Sequence, residues 1–363
     1  MVSLALALDA TLWDEPTTGI GLYARCLHDA LVRRGVRVER MGARRSGEAP
    51  RSVASRSAYV IGELPSALRH RDVPLFHAVG NFNLPLVRVP GKRLVLTVHD
   101  LIPEILPETV SRAYRMQFRA WLGRSAQLAD RIICVSERTR RDLLARHQLD
   151  ASKVSVVPNG ADHVDRVHSP DRTGVEYLDS LALPERFVLY AGSLDARKNV
   201  ALVLDALLRL WRNGRNETLV LAGQSWFGSG SVERRIARLR SDGADVRPLG
   251  FLAPPLFYEV MRRASIFAFP SLYEGFGLPP LEAMQLGVPC IVSDAGALPE
   301  VCGDAALRVS PDDHLALAAA IERLLDDRGE RERLSAAGRA RAARFTWDAC
   351  AEQTLDVYRA ALR

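Results

Sequence analysis

The chain has 363 residues, 48% of them hydrophobic and 25% charged, and carries a net charge of +6. That length exceeds what one hydrophobic core serves and predicts two domains. No apolar run approaches the roughly 20 residues with which a helix crosses a bilayer, so no membrane-spanning helix is expected. The five cysteines (Cys26, Cys134, Cys290, Cys302, Cys350) are scattered and never form C-x-x-C, which excludes a disulfide framework or structural zinc site and predicts reduced thiols in a cytoplasm.

The first apolar stretch, Val2 to Leu8, lacks a basic flank and ends at Asp9; it reads as a core strand and not as a signal peptide. Ten residues later comes Gly19-Ile-Gly21-Leu-Tyr-Ala24, with Glu39 lying 20 residues beyond Gly19. On paper that is a dinucleotide-binding fingerprint with its ribose acid. A fingerprint needs a tight turn straight from strand to helix, and the interval Asp9–Thr18 spoils that geometry, which counts against a dehydrogenase. Further strands are expected at 36–40, 58–62, 93–98, 131–135 and 154–157, with helical periodicity over 20–34, 111–128 and 137–147. The stretch Gly42–Ser57 reads as a mobile basic loop. His77, in "PLFHAVGN", and His99, after the strand Arg93–Val98, fall at strand ends, while Asn159-Gly160 reads as a turn.

Polar residues Gly160 to Pro184 suggest a linker. A second series of strands follows near 187–191, 218–222, 245–249, 266–269, 289–292 and 305–309. The fold class is therefore α/β, two doubly wound Rossmann-like domains: residues 1–165, joined by the C-terminal helix 346–363, then a linker at 166–183 and a second domain at 184–345. Ligands bind at the carboxyl ends of parallel strands, so two such domains facing each other imply a deep cleft. The charge is uneven: residues 1–171 carry a balance of +7 and the remainder −1. A basic first half suits an anionic membrane face or phosphorylated acceptor. Nucleic acid has the right sign but no recognition motif accompanies it. Within that half, Ser111–Leu128 mixes four arginines with Tyr114, Met116, Phe118 and Trp121; this suits an anionic bilayer surface, and equally an ordinary helix covering a sheet.

The sharpest local signal is "FAFPSLYEGFGLPPLEAMQLGVPCIVSD", Phe267 to Asp294. A strand ends at Pro270, a loop carries Glu274-Gly275-Phe276-Gly277, and Pro279-Pro280 open a helix. Glycines before a helix start leave N–H groups facing an anion. Glu274 lies in the loop and Glu282 in the first helical turn, so the two carboxylates suit different parts of one extended ligand. A plain turn with a dipole-complementing acid is the simpler reading of the same residues.

The pattern P-S-x-x-E-G-F-G-x-P-x-x-E-A resembles the E-x(7)-E motif of family 4 glycosyltransferases, retaining enzymes of the GT-B fold. "YAGSLDARKN" (Tyr190–Asn199), "LGFL" (Leu249–Leu252), "TVHDLIP" (Thr97–Pro103), "VSERTRRDL" (Val135–Leu143) and "VPNGAD" (Val157–Asp162) agree in order. The resemblance implies that Lys198, helped by Arg197, Ser193 and Gly21, contacts the diphosphate of a nucleotide-sugar donor. Many relatives have Gly-Arg where this chain has Gly192-Ser193, which shifts weight onto Arg197 and Lys198. It implies further that Glu274 holds sugar hydroxyls with Gly275, Phe276, Gly277 and Leu278, that Glu282 accepts from the ribose, and that Phe251 and Leu252 meet the base. By the same likeness His99 faces the reacting carbon, and the terminal helix returns to the first domain.

The implied chemistry is transfer of a hexose with retention, by front-face displacement and without metal, since no Asp-x-Asp motif is present and no cofactor is called for. "GIGLY" and "ARKN" favour the mannosyltransferases of bacterial surface polysaccharide (lipopolysaccharide or exopolysaccharide) assembly. GDP-mannose is then the first donor, UDP-sugars the alternative, and a glycan or polyprenyl-diphosphate-linked oligosaccharide the acceptor. The expected place is the cytoplasm, peripheral on the inner membrane face. Rivals are an epimerase or phosphorylase of the same fold, and a catalytically silent homologue.

Overall fold

The computed structural model describes residues 4–14, 19–42, 57–224 and 230–363. The expected basic loop lies almost wholly outside them, as do Val2, Ser3 and part of the interval before Gly19. The chain divides into two compact units, 1–160 with 346–363 and 161–345.

In the first unit the elements run β1 (Ala5–Asp9), α1 (Gly19–Arg33), β2 (Arg37–Met41), a helical turn Tyr59–Glu63 continuing into α2 (Leu64–Arg69), β3 (Leu75–Ala78), β4 (Arg93–Val98), α3 (Ile102–Ile105), α4 (Arg112–Leu128), β5 (Arg131–Cys134), α5 (Glu137–Arg146) and β6 (Val154–Val156). Among the described residues the strands form one parallel sheet in the order β2-β1-β3-β4-β5-β6. Ser111 and Ser136 start α4 and α5 by accepting the N–H groups of Tyr114 and Thr139, the usual way orphan donors of a first turn are satisfied.

The segment 58–62, expected as a strand, does not join the sheet. It coils as a helix, because Val60, Leu64 and Leu68 recur at helical spacing and are all buried, while Ile61 points out at 55% exposure. The strand it was expected to supply is β3, whose four residues are all buried.

The second unit carries α6 (Arg172–Ser180), β7 (Phe187–Ala191), a single turn Ala196–Lys198, α7 (Val200–Arg212), β8 (Thr218–Ala222), α8 (Gly230–Ser241), β9 (Val246–Gly250), α9 (Pro254–Arg263), β10 (Ile266–Phe269), α10 (Leu278–Gln285), β11 (Cys290–Ser293), α11 (Leu298–Cys302), β12 (Ala306–Val309), α12 (His314–Asp326) and α13 (Arg328–Ala342). Its parallel sheet has the order β12-β11-β10-β7-β8-β9. The interval 166–183, expected as a linker, holds α6, capped by Asp171; polar composition there reflects an exposed helix with one buried apolar residue, Leu178. The last helix, α14 (Trp347–Leu362), belongs to the first unit and buries Trp347, Cys350 and Tyr358 among Leu6, Leu8, Tyr23 and Ile133.

Strand order decides where each unit can hold a ligand. In the second sheet the chain winds outward from β7 in one direction to β8 and β9, and in the other from β10 to β11 and β12. Helices leaving β7 and β10 therefore depart to opposite sides, opening a crevice at the carboxyl ends of those two strands. The corresponding reversal in the first sheet lies between β1 and β3. No helix among the described residues is long and apolar enough to cross a membrane.

Candidate active site

The crevice between β7 and β10 is where the sequence motifs meet. After β7 the chain runs through Gly192 to Asp195, whose Oδ1 accepts the N–H of Lys198 at 3.0 Å and whose Oδ2 accepts the Ser193 hydroxyl at 2.6 Å. This cap fixes the turn that carries Arg197 and Lys198. Asn199 then takes a left-handed conformation (φ 56°), and its amide donates to the carbonyls of Pro270 and Pro311 at 3.0 and 2.7 Å. The turn after β7 is thereby tied to the loop after β10.

From that loop Glu274 reaches into the same space. Its Oε1 accepts Ser271 Oγ at 2.6 Å, Lys198 Nζ at 2.7 Å and Arg197 Nη1 at 2.9 Å. Burial on its own would raise the Glu274 pKa; the two cations and the bonds from Lys198 and Ser271 overcome it and hold the carboxyl below its ordinary value. The Lys198 pKa is lowered, first by burial and then by neighbouring Arg197, against the opposing pull of Glu274. Lys198 Nζ also lies 4.8 Å from the Phe269 ring centroid. Gly296 lets the Glu274 loop sit this close: a Cβ there would lie 2.5–2.6 Å from the Glu274 backbone O and N, and its φ is +61°.

Gly277 (φ +106°) turns the chain into α10, a bend that side chains resist. Leu278 is the first residue of α10, and Phe276 is buried with its ring against Phe345. Glu282, buried in α10, has its Oε1 3.0 Å from His163 Nε2 and 3.2 Å from the Tyr258 hydroxyl, which are themselves 3.0 Å apart. Leu252 is buried and Phe251 is 43% exposed, in the loop between β9 and α9. Lys198, Arg197, Ser193 and Glu274 are thus brought together; Glu282 forms a second buried cluster.

In the first unit His99 Nε2 lies 2.8 Å from the carbonyl of Val79. A carbonyl only accepts, so Nε2 carries the hydrogen and Nδ1 is the ring's acceptor. Burial pushes the His99 pKa down to about 4, against the Val79 bond, leaving a neutral imidazole. His77 is built into the core: Nδ1 is 2.7 Å from the Tyr358 hydroxyl, Nε2 2.7 Å from Thr97 Oγ1, and burial pushes its pKa down to about 3. Gly21 is buried in the first turns of α1.

Sequence reasoning passed over Ser271, Asp195, His163 and Tyr258. The signal for Asp195 was present, an Asp three residues before the amide it caps. Ser271 stood in the quoted motif without a role. Nothing local joins His163 and Tyr258 to Glu282.

With this geometry the likeness to known proteins has physical content. The family described as "Glycosyl transferases group 1" matches residues 179–341, and "Glycosyltransferase Family 4" matches residues 17–165. The chain is 32% identical over 297 residues to an O-antigen chain mannosyltransferase B of Escherichia coli, spanning 81% of this chain and 76% of that one. It is 31% identical over 329 residues to an MMP alpha-(1->4)-mannosyltransferase of Mycolicibacterium hassiacum, at 86% and 75% coverage. In fold it superposes on sucrose-phosphate synthase from Thermosynechococcus elongatus with a TM-score of 0.75, covering 98% of both chains at 24% identity. The described architecture is the GT-B fold, and the chain belongs to the group 1, family 4 glycosyltransferases, as a glycosyltransferase enzyme.

Proposed function

We propose that this enzyme transfers a mannosyl residue from GDP-mannose to a glycan or polyprenyl-diphosphate-linked oligosaccharide, with retention and without a metal. The observation that carries the reading is the half-buried pair Lys198 and Arg197 beside buried Glu274 at the carboxyl ends of β7 and β10. A nucleoside diphosphate leaving group gains negative charge as the glycosidic bond breaks, and fixed cations in a buried site stabilise that charge without reorganising. Lys198 and Arg197 take the diphosphate, with Ser193 and the dipole at the start of α10. Glu274 takes sugar hydroxyls with Gly275, Phe276, Gly277 and Leu278, Glu282 the ribose, and Phe251 and Leu252 the base. His99 and Gly21 are assigned to the donor sugar and phosphate on the family likeness. Mannose is favoured by the two mannosyltransferase relatives.

The protein's share of the chemistry is orientation and charge. The leaving phosphate accepts the proton of the incoming acceptor hydroxyl as the new bond forms on the face the nucleotide leaves. We place the enzyme against an anionic inner membrane face through α4, which carries Arg112, Arg115, Arg119 and Arg124 with no acidic residue and shows Met116 at 71% exposure.

The test is thermal shift and transfer with GDP-mannose against UDP-glucose and other nucleotide sugars, repeated with EDTA, and the product anomer read by NMR. Stabilisation and turnover with GDP-mannose alone, unaffected by EDTA and giving the donor's anomer, are expected. A UDP-sugar as the sole donor overturns the mannosyl reading, and an inverted anomer overturns retention.

A further inference from the structure

Glu274 is held by the two cations to which the proposed function gives the donor's phosphates. Arg197 also lies 3.8 Å from Asp195 Oδ2. Among the described residues, two cations and two carboxylates therefore share one largely buried cluster, these four groups summing to a formal charge of zero. A diphosphate reaching it meets no net attraction unless a carboxylate gives way, and desolvating that ligand is costly.

The two carboxylates differ in how firmly they are committed. Asp195 caps a backbone turn, accepting the Lys198 N–H and the Ser193 hydroxyl. The bonds onto Glu274 Oε1 come from the side chains of Lys198, Arg197 and Ser271. Glu274 can leave by side-chain rotation, with the backbone of either loop unchanged.

We propose that Glu274 is the built-in counter-ion of the donor-phosphate site. It occupies the Lys198–Arg197 pair when the site is empty, yields the pair to the phosphates of an incoming nucleotide sugar, and competes the nucleoside diphosphate off after transfer. The proposal rests on the reading that Lys198 and Arg197 take the diphosphate. It sorts substrate from product. With a nucleotide sugar in place, the displaced carboxylate finds sugar hydroxyls to accept from; with the bare diphosphate it finds none, and its best partners are the cations the product is using. An internal competitor lowers apparent phosphate affinity by the fraction of time it holds the cations.

Titration calorimetry at pH 7 with inorganic pyrophosphate, GDP and UDP tests this on the wild type, Glu274→Gln, Glu274→Asp and Lys198→Gln, each checked for folding by circular dichroism. Glu274→Gln is expected to bind pyrophosphate and the nucleotides about tenfold more tightly, the factor one charge-assisted hydrogen bond is worth. Glu274→Asp, one methylene shorter, falls between and carries the test if the Gln variant does not fold. Lys198→Gln is expected to weaken all three ligands. Pyrophosphate binding in both Glu274 variants equal to or weaker than wild type, alongside the loss in Lys198→Gln, overturns the counter-ion role and leaves the phosphate site standing. Unchanged binding in Lys198→Gln overturns the phosphate site itself, and the proposal with it.

Discussion

Each unit reverses its strand order once, and the two reversals are chemically opposite. In the second unit, between β7 and β10, the crevice holds Lys198, Arg197 and Glu274, a charged cluster held together largely by side chains. In the first, between β1 and β3, it holds Asp9, Thr11 and Asn83, with no cation bonded to them among the described residues. Asp9 Oδ1 accepts the Thr11 N–H and hydroxyl at 3.0 and 2.8 Å, and Oδ2 accepts the Asn83 amide at 2.6 Å. Burial raises the Asp9 pKa, outweighing those bonds, whereas Glu274 is buried comparably and held low by its cations. The same topological device thus serves two ends: a polar knot closing a loop in one unit, and separable ions able to change partners in the other.

The largest effect expected follows from those ions. Lys198→Ala and Glu274→Ala should each reduce turnover at least about a hundredfold, a loss of roughly 2.7 kcal/mol in transition-state stabilisation. Steady-state kinetics with the preferred donor checks it. Near-normal rates in both variants would erase the distinction between the two crevices.

Acid separates the units next. His77 and His99 have folded pKa values pushed from 6.5 to about 3 and about 4, so their neutral forms stabilise the first unit fully above pH 6.5, and this contribution is lost as pH falls through that value. By pH 5 the unfolded chain's His77 is protonated while the buried one is still neutral, a loss on the order of 2 kcal/mol, and His99, which reaches the surface, contributes less. Glu274, with its pKa lowered, keeps its contribution through the same window. Hydrogen-exchange protection, taken relative to the intrinsic amide rate at each pH, should therefore fall in β3 and β4 between pH 7 and pH 5, and much less in β7 and β10. An equal fall in both units breaks the contrast.

How much of this was legible depends on whether the deciding contacts are local. β7, β8 and β10 are continuous apolar runs, since strands covered on both faces need no polar alternation, and the sequence marks them directly. The loop from Ser271 to Leu278 declares itself through glycine and proline at positions with special backbone demands. β3 is legible only as a strand end, because His77 stands among Leu75, Phe76 and Ala78 and its polarity is answered by Tyr358, 281 residues away. Tyr59-Val60-Ile61 misleads for the opposite reason: three apolar residues in a row suit a strand or a helix, and only burial of Leu64 and Leu68 decides. The Asp9–Asn83 and His163–Glu282 bonds join segments that no window contains.

The polar knot gives a smaller effect, confined to stability. Asp9→Ala leaves the Thr11 N–H and hydroxyl without their acceptor and the Asn83 amide with Thr11 Oγ1 alone, and should cost about 1–3 kcal/mol. Asp9→Asn keeps an acceptor oxygen and removes the charge that burial disfavours, so at pH 7 it should cost less than Asp9→Ala. Denaturant titration orders the two. Pyrophosphate binding lost in folded Asp9→Ala, as in Lys198→Gln, would make the first crevice a phosphate site after all.

Phe251 gives the smallest effect and divides the second crevice internally. Its ring stands 43% exposed in the loop after β9, two strands from Lys198 in the sheet order β10-β7-β8-β9. Stacking of a base on an aromatic face needs such exposure and is worth at least about 1 kcal/mol. Phe251→Ala should therefore raise the donor KM about fivefold with kcat unchanged, because the base is held equally in the ground and transition states. Pyrophosphate has no base, so its affinity should not change in this variant, whereas it falls in Lys198→Gln. A fall in kcat, or a loss of pyrophosphate binding, would mean that Phe251 shapes the loop and not the ligand, and the base would have to be sought elsewhere along the carboxyl edge of the sheet.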